Sequence, residues 1–265
     1  MPNAKDVTAT SEWLKACSVG VPGSGKSILG SSFPTPGFVY DFGSQILSYR
    51  GLDFDYEQFT TDAKGWIQFE KVSQQLISGK YYKDHRGEEG NGQYQSIIVD
   101  DLTGMGDLAL ARAMQIDPKR SATDGPLWNV HYQMQRNLME GRLKQIYDIP
   151  ANILFIMHLN FIQDQETGAI LGTEPLLVGQ LSTRIPAMFD EVYYHTTRKG
   201  EGGTKWVVQT VPIGHYNGRS RLSGKARILP DLLPNDYAEI MAYATGKKKK
   251  AVPAVAPAQP KEAGK

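Results

Sequence analysis

One cysteine in 265 residues leaves no partner for an internal disulfide and points to a reducing compartment. That residue, Cys17, falls in an apolar stretch and reads as packing, since buried thiols are usually inert. Apolar runs long enough to span a bilayer are lacking, as is a signal-peptide pattern at the start. The expectation is a cytoplasmic protein with no membrane partner. Charge of one sign is lacking too: 29 Lys and Arg face 28 Asp and Glu, for a net +1. The balance hides an uneven distribution. Residues 246–265 hold six lysines and one glutamate, +5, so a net of +1 leaves the remaining chain at about −4. A strongly basic body would have pointed to nucleic acid, and this one does not. With 40% apolar residues, the length suffices for one large α/β domain or two small ones.

What the chain does have is Gly20-x4-Gly25-Lys26-Ser27, a phosphate-binding loop pattern without a mismatch. Glycines let the backbone curl so that several N–H groups converge on one phosphate, and a following helix N-terminus adds partial positive charge. The expected nucleotide contacts are Gly20, Pro22, Gly23, Ser24, Gly25, Lys26, Ser27 and Ile28. Lys26 is expected to reach the β- and γ-phosphates of ATP, and the Ser27 hydroxyl to ligate Mg²⁺. The apolar segment from Trp13 to Val19 supplies the strand that the motif needs before it, and a short helix from Ser27 to about Ser32 is stopped by Pro34 and Pro36.

A second buried strand, Gly37 to Phe42, carries Asp41. Asp62 can cap a helix with Trp66, Phe69, Val72 and Leu76 on one face, and residues 79–95 read as an exposed, mobile loop. Residues 96–99 form an apolar strand that ends in Asp100 and Asp101. In phosphate-binding-loop proteins the acid after such a strand belongs to the Mg²⁺ shell, which assigns Asp100. Asp101 either orients or deprotonates the attacking water or caps the next helix. Leu108 to Ile116 reads as a helix. Pro126 is expected to open a long one through Leu127, Val130, Met134, Leu138 and Ile146, with its methionines as core filler. A strand from Asn152 to Met157 ends at His158, and ligands of parallel sheets sit at such strand ends. His158 can therefore touch and report the γ-phosphate.

Residues 162–170 look like a hairpin, and Gly179 to Met188 like a short helix. Residues 191–197 and 205–211 form a second hairpin, with His195 read as a strand surface residue. The stretch 215–227 carries four cations (Arg219, Arg221, Lys225, Arg227) and no acid. It is either a solvated loop or a basic segment aimed at the phosphate of a neighbour's nucleotide or of nucleic acid. A last short helix runs from Tyr237 to Ala244. Residues 1–11 read as a frayed N-terminus, 12–245 as the domain, and 246–265 as a low-complexity, disordered tail.

In this order, the Gly-x4-Gly-Lys-Ser loop, the Ile97-Ile98-Val99-Asp100 strand, the strand ending in His158 and the Phe189-Asp190-Glu191-Val192 segment resemble phage nucleotide-binding proteins of RecA-like fold. These are phage recombination ATPases, some of them of single-strand-annealing type. The resemblance spans roughly residues 12–245. It implies an α/β fold of P-loop NTPase type, with a mostly parallel central sheet flanked by helices and C-terminal β-hairpins. It also implies ATP bound between subunits of a homo-oligomeric ring or filament. Such proteins present a basic pair from the next subunit, for which Arg219 and Arg221 are the expectation and Lys225 and Arg227 the alternative. The sequence departs from the pattern at Asp41, where RecA-like recombinases usually carry a catalytic Glu. Asp41 serves with a shorter reach, Asp101 substitutes, or hydrolysis is slow.

The expected activity is Mg²⁺-dependent ATP hydrolysis on single-stranded DNA in phage recombination or replication, with a single-strand-binding protein as a further partner. The segment 161–180 is expected to meet the DNA, and Phe161 and Tyr216 to stack on bases. Two alternatives stand beside it: a nucleotide-dependent switch or loader with little turnover, and a small-molecule kinase.

Overall fold

The computed structural model describes residues 13–87, 92–118, 125–200, 202–222 and 228–248. The expected frayed N-terminus, almost all of the lysine-rich tail, and Lys225 and Arg227 lie outside the described residues. A ten-stranded sheet organises the rest. Its parallel part is β1 (Lys15–Gly20), β2 (Gly37–Asp41), β3 (Phe54–Gln58), β4 (Ser96–Asp100) and β5 (Asn152–Gln163). Their order in space is β1-β5-β4-β2-β3. Strands β2 and β4 are buried along their full length. This explains why they read as unbroken apolar runs: both faces of a parallel sheet are covered by helices.

One face carries α2 (Ala63–Ile77), α4 (Leu102–Ile116) and α5 (Gln133–Tyr147), which pack Trp66, Phe69, Met105, Leu143 and Ile146 onto the sheet. On the other face lie α1 (Lys26–Ser31) and α7 (Tyr237–Ala244), with Leu29 and Ile240 in the core. The helix α2 runs as its pattern predicts. Asp62 caps it by accepting from the Gly65 N–H at 2.9 Å, and Trp66, Phe69, Val72 and Leu76 are buried.

The C-terminal half is built on antiparallel pairs. β5 turns back into β6 (Ile170–Pro175), then α6 (Leu181–Met188) follows. β7 (Glu191–Gly200) lies parallel to β1 and antiparallel to β8 (Gly203–Gln209). Short strands β9 (Pro212–Ile213), β10 (Tyr216–Asn217), β11 (Arg219–Ser220) and β12 (Leu232–Pro234) complete it. The fold is therefore mixed α/β, with a mostly parallel central sheet, flanking helices and C-terminal antiparallel strands, as expected.

Several expectations need correction. The described part of 79–95 is no exposed loop: α3 (Lys80–Arg86) sits there, Tyr81 and Tyr94 are buried beside Phe38, and Tyr82 is buried against Tyr94. The charges hide the apolar anchors, and they are used: Arg86 bonds Asp55 at 2.6 Å and pairs with Asp53 at 2.7 Å. Strand β3 has no apolar run because an edge strand is only half covered. The helix α4 starts at Leu102, not Leu108, because Asp101 caps it despite the glycines at 104 and 106. Pro126 does not open α5. A π-type turn over Trp128–Tyr132 precedes it, tied down where His131 Nδ1 accepts from the Leu127 N–H at 2.7 Å. Strand β5 does not stop at His158 but runs on to Gln163; only its parallel pairing with β1 stops there, at Gly20 opposite His158. Among the described residues, no helix is long and apolar enough to cross a membrane.

Candidate nucleotide site

The loop Gly20–Lys26 leaves the carboxyl end of β1 and enters α1 directly. Gly25 caps that helix at φ +92°, in the left-handed region, where a side chain would be strained. A Cβ there would also stand 2.7 Å from Trp206 Cγ and 2.8 Å from Asn235 Nδ2. Gly20 is pressed as closely: its Cβ would stand 2.5 Å from Ser24 Oγ and 2.9 Å from His195 Cβ. Gly25→Ala should therefore weaken nucleotide binding by about tenfold, since left-handed backbone costs an ordinary residue about 1–2 kcal/mol. Titration of the variant with a fluorescent ATP analogue checks it, and unchanged affinity would mean that the loop tolerates the strain.

Lys26 is buried, and its ammonium folds back over the loop to donate to Gly20 O at 2.9 Å and Val21 O at 3.0 Å. Burial lowers its pKa, and the nearby Asp100 and Asp101 carboxylates oppose that shift. Ser24 closes the turn on Val21 O at 2.7 Å. The Ser27 hydroxyl donates to Gln45 Oε1 at 3.2 Å.

Three carboxylates meet at the carboxyl ends of β2 and β4. Asp41 stands opposite Asp100 in register, and a cis peptide bond joins Asp100 to Asp101. Their partners separate their roles. Asp41 Oδ1 accepts from the Gln45 N–H at 2.9 Å and its Oδ2 from Gln58 Nε2 at 2.7 Å, so it braces the two segments beside it. Asp101 Oδ1 accepts from the Gly104 N–H at 2.8 Å, the helix cap, and its Oδ2 lies 3.0 Å from His158 Nε2. Burial would raise the Asp101 pKa, but the bonds to His158 and Gly104 and the charge of Lys26 hold it below the ordinary value. Of the two readings left open for Asp101, the cap is present, and the second oxygen orients His158.

Asp100 differs from both. It accepts from the Tyr49 hydroxyl on Oδ2 at 3.2 Å, while Oδ1 is buried with no partner among the described residues. Burial pushes its pKa up to about 6 and the adjacent Asp101 carboxylate adds to the rise, against the lowering effect of the Tyr49 hydroxyl. A desolvated carboxylate oxygen without a partner, beside a serine hydroxyl, suits a hard cation. Among the described residues no group of three or more His, Cys, Asp or Glu could hold a metal by itself. Mg²⁺ takes one or two protein oxygens and completes its shell with water and substrate phosphates. Ser27 and Asp100 are the residues that would hold it.

Four contributors were missed by sequence reasoning. Gln45 and Tyr49 come from a stretch with no periodic signal, and they reach Ser27 and Asp100. Trp206 Nε1 donates to Gly23 O at 3.1 Å, and Asn235 Nδ2 to Gly25 O at 2.7 Å. Trp206 is on β8 and Asn235 just follows β12, both more than 180 residues away in sequence from the loop they touch, and no local pattern announces them. His195 is no surface residue. It is buried under the loop with Nε2 at 2.5 Å from Ser18 Oγ, and burial drives its pKa down to about 3, so it stays neutral.

The basic pair is not brought to this site. Strand β11 pairs with the opposite end of β7, with Arg219 beside Val192. The Arg219 guanidinium donates to Pro186 O and Phe189 O, both at 2.7 Å, and so is taken up by its own chain. Arg221 is more exposed and pairs with Asp190 at 2.5 Å. Tyr216 packs against Tyr194, with ring centroids 5.8 Å apart, whereas Phe161 is partly exposed on β5.

A family model described as an AAA domain matches residues 13–222, the span from the start of β1 to just past β11. No curated protein matches the chain.

Proposed function

The chain belongs to the AAA domain family of P-loop ATPases, and from that premise we propose that it hydrolyses ATP with Mg²⁺ while bound to single-stranded DNA, in phage recombination or replication. The observation that carries the hydrolytic part is Asp100 Oδ1, buried and unpartnered beside Ser27 and Lys26. The loop N–H groups and Lys26 bind and orient the triphosphate. Lys26 exchanges its two carbonyl partners for phosphate oxygens, and its charge is worth more there because the ammonium is buried. Mg²⁺, when held by Ser27 and Asp100, neutralises charge on the phosphates. Asp101 fixes the His158 ring, and His158 contacts the γ-phosphate and reports its loss to the segment that follows it in β5. Phe161, exposed on that strand, is the base-stacking candidate.

A homo-oligomer supplies a cation in trans. Arg221 suits this better than Arg219, because among the described residues its guanidinium pairs with an exposed carboxylate that a phosphate can outcompete. A trans cation of this kind is worth about 10³–10⁵ in rate, so turnover per chain should climb with protein concentration. One observation favours a second reading, a nucleotide-dependent switch with little turnover. Both oxygens of Asp41 and both of Asp101 are engaged, so neither is free to take a proton from water.

Phosphate release measured against protein concentration, with and without single-stranded DNA, separates the readings. Hydrolysis that rises with both supports the proposal. A rate indifferent to DNA removes the DNA-dependent part, and ATP binding without turnover favours the switch.

A further inference from the structure

Trp206 is the one large side chain that both touches the phosphate loop and stays open to solvent among the described residues of β8: it is 45% exposed. Its indole N–H is fixed on Gly23 O at 3.1 Å, and its ring carbons press on Gly25, the residue that opens α1. An exposed tryptophan held this firmly has little rotamer freedom left to lose. Asn235 stands beside it, bonded to Gly25 O through Nδ2, with its Oδ1 buried and without a partner among the described residues. Strand pairing adds a charge: Trp206 lies opposite Thr197 and Thr204 opposite Lys199 in the β7–β8 ladder. Residues two apart share a face, so Lys199 lies on the Trp206 face.

We propose that Trp206 is the platform on which the base of the bound nucleoside triphosphate stacks, so that the site selects nucleotides over bare polyphosphate. This rests on the nucleotide site proposed above. The triphosphate lies in the loop between Gly20 and Lys26. A base leaving it at the α1 end meets Trp206 next to Gly25. Lys199 adds attraction for the anion as it arrives. Stacking accepts any π-face, so the selection is for a base as such, with ATP and GTP bound alike.

The test is calorimetric titration of the full chain with ATP and with inorganic tripolyphosphate, both with Mg²⁺, for the wild type, Trp206→Ala and Trp206→Phe. Trp206→Ala should weaken ATP about tenfold, the scale of one base–aromatic stack, and tripolyphosphate less than about twofold. Trp206→Phe, which keeps a π-face but loses the N–H to Gly23, should recover most of the ATP affinity. Equal weakening for both ligands would overturn the proposal, because Trp206 would then only support the loop. No change for either would overturn it as well. Failure of the underlying site looks different: Lys26→Ala would then bind ATP as tightly as the wild type.

Discussion

Lys26→Ala should lower ATP turnover by about 10²–10³-fold, the range found when one preorganised charge donor is removed from a transition state. The ammonium sits buried at the mouth of the loop, within the field of Asp100 and Asp101, and its present partners are only the carbonyls of Gly20 and Val21. Most of its dehydration is therefore in place before a phosphate arrives. A phosphate oxygen offers a full negative charge where a carbonyl offers a dipole, and the gain grows as charge moves outward during bond cleavage. Alanine removes this and leaves the loop backbone in place. The melting temperature should shift little, because a cation whose pKa is lowered by burial contributes little to stability. Phosphate-release kinetics beside a thermal melt make the check. An unchanged rate would place the chemistry elsewhere in the protein.

Asp100→Asn should do two opposite things: cut Mg²⁺-dependent turnover by about 10²-fold or more and make the ligand-free protein more stable. Burial lifts the carboxyl from its ordinary 3.8 to about 6. For an acid shifted upward, the folded chain holds its proton at pH values where the unfolded chain has already released it. The group therefore costs nothing below about pH 3.8, and its penalty grows as pH rises through 6, where it is complete. That rise in pKa corresponds to about 3 kcal/mol, which is the upper bound on the gain from the neutral isostere at pH 7–8. Denaturant melts at pH 5 and pH 8, each without nucleotide, read it directly. The variant should exceed the wild type by more at pH 8 than at pH 5. A variant less stable than the wild type at both would show that the unpartnered oxygen is satisfied in some other way. The strain is the kind expected of a site whose ligand completes it.

The sequence alone determined the framework of this protein. Local rules sufficed wherever a physical requirement is local. A glycine-rich loop between a strand and a helix must be written in consecutive residues, so Gly20, Gly25, Lys26 and Ser27 were legible. So were β2 and β4, because strands covered on both faces need unbroken apolar runs, and α2, whose cap and apolar face are spelled within one helix. The two hairpins of the C-terminal half were legible because their turns carry glycine. Where burial rests on a few residues among charges, the pattern failed. Tyr81 and Tyr82 anchor α3 inside a stretch that reads as solvent-exposed, and half-covered β3 shows no run at all.

Only the tertiary structure decided how the site's groups share their work. The sequence pattern assigns Asp100 to Mg²⁺ but leaves the roles of Asp41 and Asp101 open. Hydrogen bonds from Gln45, Gln58, Gly104 and His158 occupy those two and leave Asp100 with an open oxygen. Arg219 likewise reads as a free cation and is found capping the carbonyls of Pro186 and Phe189. Trp206 and Asn235 reach the loop because β7 pairs with β1 and carries β8 with it. Partners brought together by sheet order leave no spacing rule in the chain, because the sheet places neighbours in space that the sequence keeps far apart.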